Sequence, residues 1–490
     1  MAEHTRTLSG YLEPGAPDWL YVPVEVPDGV REISVTYRYD RPAVPPGVPG
    51  NALDLGVFDS RAEFRGWSGG ARDGFTITAT EATPGYLAGP VHPGTWHVLL
   101  GPYTVAPRGM TWRVEVTLRS GPASPASPPG PGVPDAAPEP GGASDPARAR
   151  ERAAGRGPSW YRGDMHLHTV HSDGERTPAE VVAEARAAGL DYIVSTDHNT
   201  SSASRAWGAY AGSDLLLIDG EEVTTRNGHY LALGLPAGAW IDWRYRAADG
   251  IFGQHVERIH SLGALAVAAH PFAPCLGCAW KFGYAEVDAV EVWNGPWTLD
   301  DEAAVAAWDG QLVAAGPTRS WLPAVGNSDA HSRENAIGLP HNVVYARDLD
   351  RQSILDGVRA GRLWLAESAS VDLSFGAAAG GERAGNGERA GNGERAGIGE
   401  RLAVPGDTPV TVTLTVHGAP CGVVRFVTDQ GGRMLTPLPA DGAGTVSWTT
   451  TPRNAGYVRA EVRRPQPTET TRDTMVAMTN PIFLGEPGVS

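Results

Sequence analysis

Two histidines set two apart, His166 and His168 in Asp164-Met-His-Leu-His-Thr, are the first residues whose type and spacing could do chemistry. On a strand, side chains two apart share a face, so both imidazoles can address one cation. Ser172-Asp173-Gly174 follows and adds a carboxylate. Four more polar constellations come later, at the ends of predicted strands: Ser195-Thr-Asp-His198-Asn199, Gly220-Glu221-Glu222 with Gly228-His229, His270-Pro271, and Gly326-Asn-Ser-Asp329-Ala-His331. A glutamate has two oxygens and can bridge two cations, which an imidazole cannot. A histidine closing a buried strand, as His270 does, needs a polar partner or an ion. Each constellation alone has an ordinary reading as a helix cap, a surface histidine or a satisfied core residue. Five in one block point to metal binding by nitrogen and oxygen donors, a set that suits Zn, Mn or Fe.

The chain has no Gly-x-Ser-x-Gly turn and no Cys/His nucleophile pattern. No side chain is therefore assigned as the nucleophile. Two or three divalent cations would lower the pKa of a bound water to about 7, supplying hydroxide at neutral pH. The same ions would stabilise charge on a phosphoryl or carbonyl oxygen and on the leaving group.

These side chains need strands to carry them. Thr177-Pro178-Ala179-Glu180 is a capping box with proline at the first helical position, and the helix it opens stops at Gly189. An apolar strand over 192–195 follows, and a helix over 253–262 leads into a strand over 264–269. Further strands are expected at 289–293, 322–325 and 342–345, alternating with helical stretches. Such alternation predicts a parallel α/β sheet closed as a barrel. Before it, short alternating strands at 19–26, 32–39, 74–79, 94–100 and 110–118 predict a β-sandwich or jelly roll. Beyond it, strands at 410–416, 423–428 and 457–462 predict a second sandwich. The expected domains are thus 1–120, a Pro/Gly/Ala linker over 121–158, the α/β block over 159–370, and a C-terminal sandwich over 371–490. Gly-Glu-Arg-Ala-Gly-Asn repeats mark a disordered insertion over 376–402, too poor in apolar residues to bury a core.

In the content and order of its motifs the middle block resembles the PHP (polymerase and histidinol phosphatase) superfamily of metal-dependent hydrolases, closest to the CehA/McbA-type branch. The resemblance covers about residues 161–365, less than half the chain. It implies a distorted seven-stranded β/α barrel, here flanked by two mostly-β sandwich domains, with up to three metals at the C-terminal strand ends. It places His166 and His168 on one metal with Glu222 and Asp329. Glu222, the match to a Gly-x-Glu motif, would bridge to a second metal held by His270 and His229. Asp173, His198 and His331 would hold a third. Asp173 stands where histidinol-phosphatase-like members often carry a histidine.

Of 490 residues, 41% are hydrophobic and 20% charged, which fits a globular chain. A formal charge of −16 argues against general nucleic-acid or anionic-membrane binding. No signal-peptide pattern or long apolar run is present, so a cytoplasmic protein is expected. Cys275-Leu-Gly-Cys278 reads as a plain loop, with a labile disulfide as the alternative. Arg333, Asn199 and Asn294 are the candidate substrate contacts, and a surface ion pair is the competing reading for Arg333. The function expected is a phosphoesterase acting on a small phosphorylated molecule. A carbamate, ester or amide hydrolase on the same site is the runner-up, and a non-catalytic metal-binding scaffold the third reading.

Overall fold

The computed structural model describes residues 2–121, 153–316, 321–379, 395–465 and 473–486. The N-terminal strands are β1 (Ala2–Leu12), β2 (Leu20–Val26), β3 (Val30–Tyr39), β4 (Ala52–Phe58), β5 (Phe64–Gly69), β6 (Gly74–Thr78), β7 (Gly94–Thr104) and β8 (Met110–Ser120). They form two four-stranded antiparallel sheets, β1-β8-β3-β6 and β2-β7-β4-β5. Alternation does the work: Val22, Val24 and Val26 face inward while Tyr21, Pro23 and Glu25 face out. Ile33, Val35, Leu55, Val57, Trp96 and Val98 fill the space between the sheets.

The middle block is mixed α/β. Its strands β9 (Ser159–Asp164), β10 (Tyr192–Ser195), β11 (Leu216–Thr225), β12 (Gly228–Leu233), β13 (Leu265–Ala268), β14 (Ala289–Asn294) and β15 (Ala324–Asn327) pair in sequence order. Helices α1 (Pro178–Ala187), α2 (Ser204–Trp207), α3 (Phe252–Ser261) and α4 (Leu299–Ala315) join some of them. The capping box is present as expected: the Thr177 amide donates to Glu180 Oε2 at 2.8 Å and the Glu180 amide to Thr177 Oγ1 at 3.3 Å.

Two features depart from the expected parallel barrel. β12 runs antiparallel to both neighbours, because only the tight Arg226-Asn227 turn separates it from β11 and no crossover helix fits there. Nor does the ladder close: among the described residues β15 and β9 form no strand pair. Their ends meet through a single bridge, Leu167–Ala330, and through the Met165 amide donating to Asn327 Oδ1 at 2.9 Å.

β16 (His341–Ala346) then lies antiparallel to β9, with α5 (Arg351–Arg359) leading to β17 (Leu363–Ala366). The remaining strands are β18 (Asp372–Ala379), β19 (Arg395–Gly397), β20 (Arg401–Leu402), β21 (Val410–His417) and β22 (Val423–Thr428). After them come β23 (Gly431–Pro437), β24 (Gly444–Thr450), β25 (Tyr457–Arg464), β26 (Thr474–Thr479) and β27 (Ile482–Leu484). β17 pairs with β26, so one sheet continues from the middle block through β25 and β22 to β23. The sheet β19-β18-β21-β24 covers it, and Phe375, Val412, Leu414, Phe426 and Val462 pack between.

Ion pairs reinforce the continuity. Glu461 on β25 accepts from Arg459 Nη1 at 2.5 Å, from Arg463 Nε at 2.7 Å and from Arg425. Arg459 Nε reaches Asp309 on α4 at 3.0 Å, and Arg463 pairs with Glu302 there.

Part of the expected disordered insertion is instead ordered as strand. Residues 376–379 belong to β18 and 395–397 form β19, with Ala377 opposite Ala396. The pairing takes in Ala and Gly, which add little apolar bulk but fit a buried ladder. Residues 380–394 lie outside the described residues, as do 122–152 of the expected linker. The linker's end is docked: the amides of Ala153 and Ala154 donate to Leu349 O at 3.0 Å and Ser213 O at 2.7 Å. Cys275 and Cys278 form a disulfide rather than a plain reduced loop. Among the described residues no helix is long and apolar enough to cross a membrane.

Candidate metal centre

Every constellation gathers at one edge of the middle sheet. His166 and His168 follow β9, His198 follows β10, His270 follows β13, and Asp329 and His331 follow β15. Glu222 lies within β11. His229 joins because β12 is reversed, which puts its first residues at the edge where the parallel strands end. Glu221 and Glu222, as strand neighbours, point to opposite faces. Glu221 accepts the Ile241 amide at 2.8 Å, and burial holds its carboxyl well above the usual range. Glu222 faces the cluster.

Its two oxygens serve two groups. Oε2 lies 3.3 Å from His166 Nε2, 3.4 Å from His168 Nε2 and 2.8 Å from His198 Nδ1. Oε1 lies 3.0 Å from both His229 Nδ1 and His270 Nε2. Asp329 Oδ1 stands 3.2 Å from His166 Nε2 and 3.0 Å from His168 Nε2. Asp173 Oδ1 lies 3.6 Å from His198 Nε2 and 3.4 Å from His331 Nε2.

These separations fit a metal better than a hydrogen-bond network. The Nε2 atoms of His166 and His168, Glu222 Oε2 and Asp329 Oδ1 are all buried and make no aligned hydrogen bond. They converge on a common point instead of on one another. A tetrahedral ion with bonds of about 2.0–2.1 Å has donor–donor edges of about 3.3 Å, and the four measured edges are 3.0–3.4 Å. His168, Asp173, His198 and His331 form a second group whose donor atoms lie within 4.8 Å of one another. His229 and His270 stand equally close to Cys278, whose sulfur is taken up by the disulfide.

The charges are strongly coupled. Burial opposes ionisation of Glu222, yet His198, His166 and His229 outweigh it and hold the carboxyl well below its usual range. Asp329 is likewise held down, against burial, by His166 and His168. Burial and the neighbouring His331 and His198 push His168 down to about 4. His198 goes the other way, to about 10, because Glu222 and Asp173 outweigh its burial.

Three residues of the site sit in left-handed backbone: Asn199 (φ 50°), His270 (φ 25°) and Asp329 (φ 48°). Each such residue costs on the order of 1–3 kcal/mol, and each is pinned by its amide. Asn199 N donates to Glu222 O at 3.1 Å, Asp329 N to His166 O at 3.0 Å and His270 N to Glu291 Oε2 at 2.9 Å.

Glu291 is a site residue that sequence reasoning missed. It accepts from His166 Nδ1 at 3.1 Å and from Asn327 Nδ2 at 2.7 Å. The signal was available: a carboxylate inside the apolar run Ala289-Val-Glu-Val-Trp293. Asn294 Nδ2 donates to Glu291 Oε2 at 3.0 Å and Asp329 Oδ2 at 3.2 Å, so it orients carboxylates. Both polar atoms of the Asn199 side chain hold the Thr224 backbone, and Thr224 Oγ1 in turn meets His198 Nδ1 at 2.6 Å. Arg333 pairs with Glu180 Oε1 at 2.8 Å and is more than half exposed.

A cavity of about 320 Å³ opens in front of Asp173, His198 and His229. Its far side is the N-terminal sandwich: Trp19, Asp54, Trp67, the stretch Ser68–Ala71, and Tyr103. Burial pushes the Asp54 carboxyl up to about 7, against the pull of Arg226 and His198.

No family model matches this chain. A stretch of 154 residues is 25% identical to an uncharacterized protein of Methanocaldococcus jannaschii, covering 27% of this chain and 81% of that protein. Among solved structures, a two-domain protein of Bacteroides vulgatus containing a predicted PHP-like metal-dependent phosphoesterase aligns with 68% of this chain and 97% of its own, at 16% identity and a TM-score of 0.37. An amidohydrolase of Chromobacterium violaceum, with bound sulfate and no metal, aligns with 36% of this chain and 89% of its own, at 19% identity and a TM-score of 0.26.

Proposed function

We propose that this chain is a metal-dependent hydrolase of the PHP type and that it cleaves a phosphoric ester of a small molecule. The observation that carries the reading is the division of Glu222, one oxygen facing His166, His168 and His198 and the other facing His229 and His270. His166, His168, Glu222 and Asp329 would hold one ion. Glu222, His229 and His270 would hold a second, and Asp173, His198 and His331 a third. The nitrogen and oxygen donors suit Zn, Mn or Fe. When bound, such ions supply a nucleophile at neutral pH and neutralise charge on the scissile group.

The chain's own residues do the positioning. Glu291 fixes which nitrogen of His166 faces the donors, Asn294 orients Asp329, and Thr224 steadies His198. Adjacent cation sites match an ester with several anionic oxygens. The acidic chain and the small cavity support a small-molecule substrate.

One observation favours a second reading, hydrolysis of a carbamate, carboxylic ester or amide, as in the CehA/McbA-type branch. Among the described residues the guanidinium lining the cavity is that of Arg226, and it is largely committed: Nη1 donates to Pro102 O and Tyr103 O and Nη2 to Asp18 O, which leaves only Nε without a hydrogen-bond partner. A panel of phosphomonoesters, phosphodiesters, carboxylic esters and carbamates on metal-reconstituted protein decides, with His168→Ala as control. Turnover of phosphate esters supports the first reading, and turnover confined to carbon esters supports the second. No turnover by a fully metal-loaded protein on any class would overturn both.

A further inference from the structure

The cavity belongs to two separated stretches of chain. The metal-donor side comes from residues 172–278, and the opposite side from the N-terminal sandwich. The sandwich is fixed there by specific bonds. Ser202 Oγ accepts the Gly85 amide at 3.0 Å, Thr200 Oγ1 donates to Gly85 O at 2.9 Å, and Arg226 Nη1 donates to Pro102 O at 2.7 Å. Gly85 has φ +97°, and a Cβ there would come within 2.8 Å of Trp67 O and 3.0 Å of His171 O. The close approach is built into the sequence.

Among the described residues, Asp54 is the one carboxylate that the sandwich turns toward this cavity. Among the described residues its carboxylate makes no hydrogen bond or ion pair with the chain. Arg226 faces the same space and acts on Asp54 through its charge, but both its Nη groups are committed to backbone carbonyls, its Nε lacks a hydrogen-bond partner, and its guanidinium lies over the Trp19 and Tyr103 rings, 5.2 Å from each centroid. Trp19 meets Trp67 and Trp243 edge to face, and Trp67 and Trp243 tilt against each other on the same wall as Asp54, with centroids 4.9–6.3 Å apart. Asp54 is part-exposed, so its carboxylate meets solvent in the cavity, and a ligand that displaces that water must return a hydrogen bond to it. An ionised carboxylate only accepts hydrogen bonds, so what it lacks is a donor.

Resting on the hydrolase reading above, we infer that this wall is a specificity subsite. Asp54 accepts a hydrogen bond from an ammonium or hydroxyl on the non-reacting part of the substrate, and the tryptophans pack against an apolar, ring-sized body. The volume, at the small end for ligand pockets, suits one ring with a short substituent.

The test uses full-length, metal-loaded protein and three probes of one shape: p-cresol, 4-hydroxybenzyl alcohol and 4-hydroxybenzylamine. Calorimetric binding should favour at least one donor-bearing probe over p-cresol by about tenfold, the scale of a hydrogen bond to a charged group. Asp54→Leu should bring that ratio to within about twofold. Asp54→Asn should abolish any ammonium preference, and it keeps a polar side chain in case the leucine variant folds poorly. Which probe gains identifies the donor. The phosphate esters of the three phenols form a second arm, in which the kcat/KM ratio should follow the binding ratio. If no ester turns over but the binding preference and its loss in the variants persist, the hydrolase reading fails and the subsite stands. Equal or undetectable binding of the three probes by the wild type, or an unchanged ratio in both variants, overturns the subsite whatever the activity.

Discussion

Glu291 Oε1 lies 3.1 Å from Nδ1 of His166, on the side of the ring opposite to Glu222 and Asp329. A proton shared on that side leaves the Nε2 lone pair directed at the donor cluster, as carboxylate–histidine pairs do beside metals. Glu291→Gln should therefore lower metal affinity about 10–100-fold without changing the fold. Competition against a chromophoric chelator reads the affinity, with circular dichroism as the fold control. An unchanged affinity would remove Glu291 from the site.

Metal content and stability should move together. Without an ion, the buried donors around Glu222 and Asp329 leave imidazole rings packed 3.9–5.6 Å apart, with the Nε2 atoms of His166 and His168 unpartnered. At about a thousandfold excess of metal over its Kd, binding should stabilise the native state by roughly 4 kcal/mol. Elemental analysis should find two or three ions per chain, and stripping them should lower the melting temperature. Coincident melts with and without chelator would contradict this.

Gly174 has no room for a methyl group. A Cβ there would lie 2.5 Å from the His168 carbonyl carbon and 2.6 Å from Thr169 N, and neither backbone atom can yield. Gly174→Ala should cost about 1–3 kcal/mol and reduce metal occupancy, because the turn carries both His168 and Asp173. Gly310→Ala on α4 is the contrast: nothing lies within 4 Å of its Cβ, so the change should stabilise by up to about 1 kcal/mol. Urea titrations of both variants check the pair, and equal effects would defeat the argument.

Glu461 makes acid stability predictable. Burial would raise its carboxyl, but Arg459, Arg463 and Arg425 outweigh that and bring it to about 2, against 4.5 for an unperturbed glutamate. A depressed carboxyl contributes stability above its unfolded pKa and loses it as pH falls toward the folded one. The loss should fall between about pH 4.5 and 2 and amount to on the order of 3 kcal/mol. Glu461→Gln should flatten that window and cost about 3–5 kcal/mol at neutral pH, because it removes the carboxylate shared by Arg459, Arg463 and Arg425 and leaves buried Arg459 only Asp309. Denaturant midpoints against pH should converge at low pH; parallel curves would sink the assignment.

Periodicity made most of the elements legible. The strands at 423–428 and 457–462 needed only alternation, and the α1 start needed only Thr177 and Glu180. β1 escaped because it is an exposed edge strand whose polar residues show no buried face. β12 escaped the parallel scheme because a two-residue turn carries no periodic signal. At the site, the strand-end pattern brought out the residues that the fold gathers into one cluster, since such positions combine polar type with apolar context. Arg333 misled because sequence proximity to Asp329-Ala-His331 says nothing about direction, and Glu180 was nearer. Asp54 gave no signal at all: it lies more than a hundred residues from the donors, and only tertiary packing brings it to the cavity.

The pairing of β17 with β26 also bears on how the protein is made. Trp364, Leu365 and Ala366 find their partners in Thr479, Met478 and Ala477. A ribosome synthesising 5–20 residues per second would deliver those partners on the order of ten seconds later. Throughout that interval β17 is an open, apolar strand edge, the kind that invites pairing with another nascent chain. Chains truncated between residues 367 and 473 should carry that edge permanently and aggregate during synthesis, however complete their metal ligands.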